Sequence, residues 1–412
     1  MPSESMPHEK RSEQYSRRKF LAGSGAVAGA SIAGCLGGGG GGGSDTVKIG
    51  FVLPFSGTYS FLGESIVNGV KLRLDQQLGG EIDGRTVEYI RQDTGADPAT
   101  GASITQEFLQ SENVDFIVGP VSSAVAGAMK PEIASAGSAI WLNANAGNYK
   151  LVQDNCTRYH FRTSFNTWQT SAPLASYVKD NIADNVVLSY ANYTFGQQSK
   201  NLFQEAFEEA GGTVVDEIGA PLGTSDYSSF LQEIENSGAD AVFSFFAGSD
   251  AVNYIKQFSS FGLNEKMTQT GSGFLLSADT LPAQGKAALG MYSLLHYTPT
   301  KQSDRNQAFV EAYSGQYDTT PNVYACQGYD SGLAAEMAVK EAGGTDTDSM
   351  ASGLAGKELD SPRGYFKFKS STHDPIMDMD VRQVVEADGG GVQNEVVETL
   401  SQVEGPTWGC SL

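Results

Sequence analysis

Ser122 and Ser123 are the residues best placed, by type and spacing, to act on a small molecule. They follow the run Asp115-Phe116-Ile117-Val118, which Gly119-Pro120 halts, and they open a stretch that reads as a helix. In an open α/β sheet, ligands settle beyond the carboxyl ends of strands, where loops converge. Two hydroxyls at a helix start, beside N–H groups with no intrahelical acceptor, form a cradle for a carboxylate. The plain alternative is a pair of capping serines. The other candidates are weaker. Catalysis calls for a nucleophile beside a base, paired acids or a metal cage. No Gly-x-Ser-x-Gly elbow or Walker loop occurs, and Gly271-Ser272-Gly273 reads as a turn. His8, His160, His296 and His373 stand singly, without zinc-ligand spacing. His373-Asp374-Pro375 reads as a turn rather than an acid–base pair. The expectation is binding without catalysis, metal or cofactor.

A cradle at a strand end needs strands and helices to hold it, and the chain supplies them in alternation. Val47 to Leu53 reads as a strand ended by Pro54, and Val67, Val70, Leu74 and Leu78 recur at helical spacing up to Gly79-Gly80. Strands at 86–90, 115–118 and 139–142 follow, with helices between them. The same grammar restarts at Val186 to Tyr190 and continues through 214–218, 241–246 and 267–270. Alternating βα units form a parallel sheet with helices on both faces. Two successive sets predict an α/β fold of two doubly wound lobes. Residues 291–386 do not make a third domain. They are expected to complete the first two through several crossovers, as a hinged clamshell.

Length and charge agree with that reading. A chain of 412 residues with 40% hydrophobic residues suits two cores, and no apolar run is long enough to span a bilayer. The formal net charge is −21. So acidic a surface repels phosphate backbones, which argues against nucleic-acid binding. It also keeps a protein hydrated in concentrated salt, so the balance reads as salt adaptation, with ordinary solubility tuning as the alternative.

The first forty-four residues read as an address and a tether. Ser16-Arg17-Arg18-Lys19-Phe20-Leu21 precedes a short apolar stretch from Ala22 to Ala33, as in a twin-arginine signal peptide. Ile32-Ala33-Gly34-Cys35 then resembles the lipobox of bacterial and archaeal lipoproteins. Cleavage there makes Cys35 the lipid-bearing N-terminus, and residues 35–45, rich in glycine, form a flexible tether.

From Val47-Lys48-Ile49-Gly50 through Ser56-Gly57, Gly63 and Asn68-Gly69, the chain resembles the leucine/isoleucine/valine-binding receptors of ABC importers. The resemblance continues at Gln92-Asp93-Thr94, Val118 to Ser123, Phe161-Arg162-Thr163, Tyr193 to Gly196, and Tyr324 with Tyr329-Asp330. It spans about residues 46–385, and the ordered set rather than any one motif carries it. It implies the type I periplasmic-binding fold, in which two doubly wound parallel-sheet lobes are joined by a multi-crossover hinge. The first lobe is expected over 46–166 with about 291–373. The second takes 167–290 with about 374–400, leaving 401–412 as a tail. The function implied is that of a lipid-anchored, extracytoplasmic receptor, acting as a monomer. It would pass a branched-chain amino acid or related small carboxylate to permease and ATPase subunits. A sensory receptor of the same fold is the alternative; it predicts a transmembrane helix or fused output domain. A lipid-anchored enzyme is the more distant one.

The resemblance also assigns contacts. The position of Ser123 holds the ligand carboxylate, with Ser122 beside it. Ala146 and Gly147 match the next contact loop, where amino-acid receptors commonly carry a hydroxyl residue at the position of Gly147. Phe195 matches an aromatic that closes over the ligand, and Trp168 lies in the hinge-side loop. Gly271 falls near the acidic residue that neutralises an amino acid's ammonium, with Asp250 as a conceivable substitute. An ammonium enclosed without a counter-charge loses several kcal/mol of hydration, so a carboxylate without an amine is a serious competitor.

After Cys35, the cysteines are Cys156, Cys326 and Cys410. In an oxidising compartment one pair and one leftover are expected. Relatives that bind organic acids carry cysteines matching Cys156 and Cys410, which implies a Cys156–Cys410 bridge with Cys326 buried and reduced. Three free thiols are the alternative.

Overall fold

The computed structural model describes residues 46–153 and 156–412. The signal segment, Cys35 and the glycine tether lie outside the described residues. The first lobe begins with β1 (Thr46–Leu53), α1 (Ser60–Lys71), β2 (Glu81–Ile82), β3 (Arg85–Asp93) and α2 (Pro98–Glu107). It continues through β4 (Phe116–Val118), α3 (Ser123–Ala136), β5 (Ile140–Asn143) and β6 (His160–Arg162). The strands pair in the order β2-β3-β1-β4-β5-β6, parallel except at β2. Because strand side chains alternate, Val47, Ile49, Phe51 and Leu53 face one layer with Ile66 and Val70 of α1. Val52 faces the other layer, with Ile117, Trp141 and the α3 residues Val125 and Met129. Gly50 keeps that second face open: a Cβ there would stand 2.4 Å from the Phe108 ring.

The second lobe runs through α4 (Ala172–Asn181), β7 (Asn185–Ala191), α5 (Thr194–Glu209), β8 (Thr213–Ala220) and α6 (Ser228–Asn236). Then come β9 (Ala241–Phe245), α7 (Gly248–Ser260), β10 (Thr268–Ser272), α8 (Leu281–Gln284) and β11 (Tyr292–Leu295). The chain next contributes α9 (Asp304–Tyr317), α10 (Val323–Ala342) and α11 (Thr347–Leu354) to the first lobe. It ends with β12 (Phe366–Phe368), β13 (Pro375–Glu386) and β14 (Val392–Glu404) in the second. The second sheet has the order β12-β13-β11-β10-β9-β7-β8, with β14 paired to β13.

Three differences from the sequence reading have physical causes. Strands β11 and β12, expected with the first lobe, hydrogen-bond into the second sheet, β11 between β10 and β13. By spacing alone Tyr324 to Ala342 reads as a long amphipathic helix, yet α10 is buried almost throughout. It packs against α1 at glycines, since a Cβ on Gly69 would meet the Ala325 carbonyl at 2.0 Å and one on Gly328 the Ile66 carbonyl at 2.1 Å. Finally, β14 pairs with β13 from Ile376 to Glu386, so the expected tail from residue 401 begins inside a strand. Its many charged and polar residues are exposed because only one face and one edge of β14 are covered.

Three crossovers join the lobes, after β6, after β11 and after α11. Buried arginines fasten the first crossover to the third and to the segment ahead of β13. Arg363 pairs with Asp330 of α10 and donates to the carbonyls of Thr163 and Ser164, both at 2.8 Å. Arg162 pairs with Asp374 at 2.7 Å, whose other oxygen accepts from Asn166. Cys156 and Cys410 form a disulfide with Cα atoms 5.8 Å apart, and Cys326 is free and buried. The tail also packs Trp408 against Tyr149, ring centroids 4.4 Å apart and tilted by 35°. It is thereby held beside β6 and the segment leading into β13. Among the described residues no helix is long and apolar enough to cross a membrane.

Candidate ligand cleft between the lobes

The carboxyl ends of β1, β4 and β5 face those of β7, β9 and β10 across a cleft with an empty volume of about 450 Å³. Its first-lobe wall includes Tyr59, Ser122, Ser123, Asn145 and Gly147. The second-lobe wall carries Tyr193, Phe195, Phe245 and Phe274, while Phe165 enters from the first crossover and Tyr324 from α10. Among the described residues seven aromatic rings and no charged side chain line it, so this lining favours a flat apolar body and offers no counter-ion to an ammonium.

Ser122 is the N-cap of α3, yet its hydroxyl makes no capping bond. Ser123, 5% exposed, is the first helical residue. Both hydroxyls are therefore available beside the free N–H groups of the first turn, where a carboxylate is favoured by hydrogen bonding and by the helix dipole. Asn145 donates to the Val121 carbonyl at 3.2 Å, and its Oδ1 is buried without a partner.

Gly147 explains itself by its neighbours. A Cβ there would stand 2.5 Å from both Phe165 and Phe195. Those two rings, 5.9 Å apart and edge-on, leave no room for a side chain at this position. Phe195 also packs on Phe245, centroids 4.6 Å apart. Behind Phe165 stands His296, stacked at 5.4 Å and 3.1 Å from Gln327 through Nε2. Burial pushes its pKa well below the ordinary value, so the ring is neutral.

Other candidate residues fall outside the lining. Ala146 serves as backbone: its carbonyl accepts from Arg162 and Asn143, which fixes the loop that presents Gly147. Trp168 is half-buried and its carbonyl accepts from Ser171 and Ala172 at the start of α4; Phe165 takes the crossover position instead. Gly271 sits within β10, where a Cβ would meet the Ser244 carbonyl at 2.4 Å, so no acidic side chain fits. Asp250 lies in the first turn of α7, accepting from the Gly223 N–H at 2.8 Å. Burial raises its pKa, and it stands behind the tyrosines rather than in the lining.

The lining residues that sequence reasoning missed are mainly aromatic: Tyr59, Phe165, Tyr193, Phe245, Phe274 and Tyr324. Tyr193 and Phe274 follow strand ends, the one signal that separates them from core aromatics; Tyr324 on a helix carries no such signal. The lobes also touch through polar contacts beside the cleft. Gln198 of α5 donates to Asn148 at 2.8 Å, and Thr167 donates its backbone N–H to the Gly147 carbonyl at 2.7 Å, with its hydroxyl within reach of Gln198 at 3.2 Å.

A family model described as periplasmic binding protein matches residues 46–390. Leu/Ile/Val-binding protein homolog 6 of Brucella melitensis is 31% identical over 371 residues, covering 88% of this chain and 94% of its own. Among solved structures, an ABC transporter substrate-binding protein from Sphaerobacter thermophilus aligns with a TM-score of 0.83 at 31% identity, over 87% of this chain and 98% of that one. A solute-binding protein of an ABC transporter from R. palustris, in complex with benzoate, aligns with a TM-score of 0.81 at 30% identity. The match covers 89% of this chain and all of that one, 100%.

Proposed function

This chain belongs to the periplasmic binding protein family, as a substrate-binding receptor of the ABC-transporter type and not an enzyme, and we propose that it captures an aromatic carboxylate of the benzoate class. The observation that carries the reading is the lining itself: seven aromatic rings, no charge, and two uncommitted serine hydroxyls at the start of α3. A carboxylate has a cradle there and a benzene ring has faces to stack on. An amino acid would leave its ammonium without a counter-charge, because Gly271 has no room for a carboxylate and Gly147 none for a hydroxyl. The benzoate bound by the R. palustris relative supports the same class.

The family's extracytoplasmic location fits the N-terminal sequence. In this reading the chain is exported by its twin-arginine signal and anchored through lipid on Cys35. It acts as a monomer and delivers its ligand to a permease. Closure of the two lobes over the ligand is the capture step, held by contacts such as Gln198–Asn148.

A thermal-shift screen of benzoates, branched-chain amino acids and aliphatic acids in concentrated salt tests the ligand class. Benzoate at ~100 times its Kd is expected to stabilise the protein by about 2.7 kcal/mol. A shift with isoleucine and none with any benzoate would overturn the reading.

A further inference from the structure

The chain ends by returning to the first lobe. β14 runs to Glu404 in the second sheet, where that residue pairs with Ile376 of β13. Gly405 then passes against Asn166 of the first crossover, since a Cβ on it would stand 2.6 Å from Nδ2. Its carbonyl accepts from Lys369 at 3.3 Å. Just beyond, Trp408 packs on Tyr149 and Cys410 is bonded to Cys156, both partners lying between β5 and β6. Residues 405–410 are therefore a strap that starts on one lobe and is closed covalently on the other. Among the described residues it is a further covalent connection beside the three crossovers. Six residues, fully extended, reach no more than about 20 Å, so the strap caps how far the lobes part along this edge.

The strap lands on the loop that serves the cleft. Asn145 and Gly147 line the cleft. Asn148, the next residue, accepts from Gln198 of the opposite lobe through Oδ1, and its carbonyl accepts from Arg162 at 3.2 Å. Tyr149 follows directly and carries the Trp408 contact. The indole N–H of Trp408 is buried with no acceptor among the described residues. That works against the contact, and the disulfide two residues further on keeps the ring in place. We propose that Trp408 is a positioning residue for ligand capture. Through Tyr149 it holds the 145–148 loop in the shape that lines the cleft and meets Gln198, and the Cys156–Cys410 bond makes that hold lasting. The inference rests on the cleft as the capture site and not on the class of ligand it takes.

The test is calorimetric titration of the full chain with benzoate and, in parallel, isoleucine; whichever binds wild type is the probe. Trp408→Ala, and Cys156→Ser together with Cys410→Ser, are each expected to weaken that probe on the order of 5- to 50-fold. Trp408→Phe, which restores a ring on Tyr149, is expected to keep wild-type affinity. Because ring and disulfide act through one strap, all three changes to Ala and Ser together weaken binding no further than the serine pair alone. Trp408→Ala leaves the disulfide in place and decides the matter if the serine pair does not fold. Unchanged affinity in folded Trp408→Ala, or losses that simply add, overturns the inference, since a merely stabilising tail gives those results. Small-angle scattering of the ligand-free protein supplies a readout without a ligand: the serine pair is expected to show a larger radius of gyration than wild type. If neither benzoate nor isoleucine binds wild type, the ligand-class reading fails by itself, and equal radii then overturn the strap.

Discussion

Ser123 opens a helix whose N-cap, Ser122, makes no side-chain capping bond, so among the described residues no side chain caps that helix start. Ser123→Asp puts a negative charge where the proposed ligand's carboxylate would sit. It is expected to weaken aromatic acids at least ~100-fold by like-charge repulsion in a water-poor cleft. Titration calorimetry on the folded variant checks this; retained affinity removes Ser123 from the site. A second residue-level expectation concerns the buried histidines. Burial holds His373 at about 4, and pushes His160 and His296 well below the ordinary value. The unfolded chain therefore binds protons first as pH falls. This contribution to stability is complete above about pH 6.5 and is lost as pH drops through about 4, on the order of 3 kcal/mol for His373 alone. Denaturant midpoints between pH 7 and 4 should decline, and less steeply in His373→Asn, which suits the left-handed backbone there (φ 56°). Residue by residue, Ser122, Ser123, Gly147 and Phe195 were legible in the sequence because they follow strand ends in a familiar order. Phe165 and Tyr324 were not, because an aromatic in a crossover or a helix has the same sequence signature as one in the core. Trp168 and Gly271 were placed in the site for their neighbourhood along the chain. The structure separates them from it by one crossover turn and by burial within a strand.

Among the elements, the alternation of strands and helices was legible from apolar runs and glycine stops. The partners of late elements were not. Which sheet receives β11 and β12 depends on pairing between distant segments, which no local period encodes. β14 escaped notice because only one of its edges is paired, so it alternates polar residues without a strong apolar face. α10 reads as amphipathic by spacing, yet it is buried on nearly every side because glycines let α1 approach its backbone. Gly69 is the sharpest point of that contact. Gly69→Ala places a methyl 2.0 Å from the Ala325 carbonyl and 2.6 Å from the Tyr329 nitrogen. Both are backbone atoms, so the helices must move apart, costing on the order of 1–3 kcal/mol. The same change at Gly127 of α3, where a Cβ meets nothing within 4 Å, is expected to be neutral or slightly stabilising through helix propensity. Comparison of the two denaturation midpoints checks the packing argument; equal effects would contradict it.

The whole molecule is two lobes whose facing strand ends make one cleft, joined by three crossovers, of which Arg363 binds the third to the first while Arg162 pairs with Asp374 ahead of β13. The disulfide closes a chain separation of 254 residues and fastens the tail beside β6. Chain entropy sets its contribution at up to ~5 kcal/mol. Cys156→Ser with Cys410→Ser is therefore expected to lower the denaturation midpoint substantially while Cys326→Ser has a smaller effect, and equal losses would contradict the assignment. Competition between benzoate and isoleucine distinguishes a cleft for an aromatic carboxylate, as proposed, from one for a branched-chain amino acid. The protein is first titrated with benzoate alone, then with benzoate after incubation with excess isoleucine. Saturable binding at one site per chain is expected, with the same dissociation constant in both titrations. A benzoate signal abolished by isoleucine, or present for isoleucine alone, would contradict it.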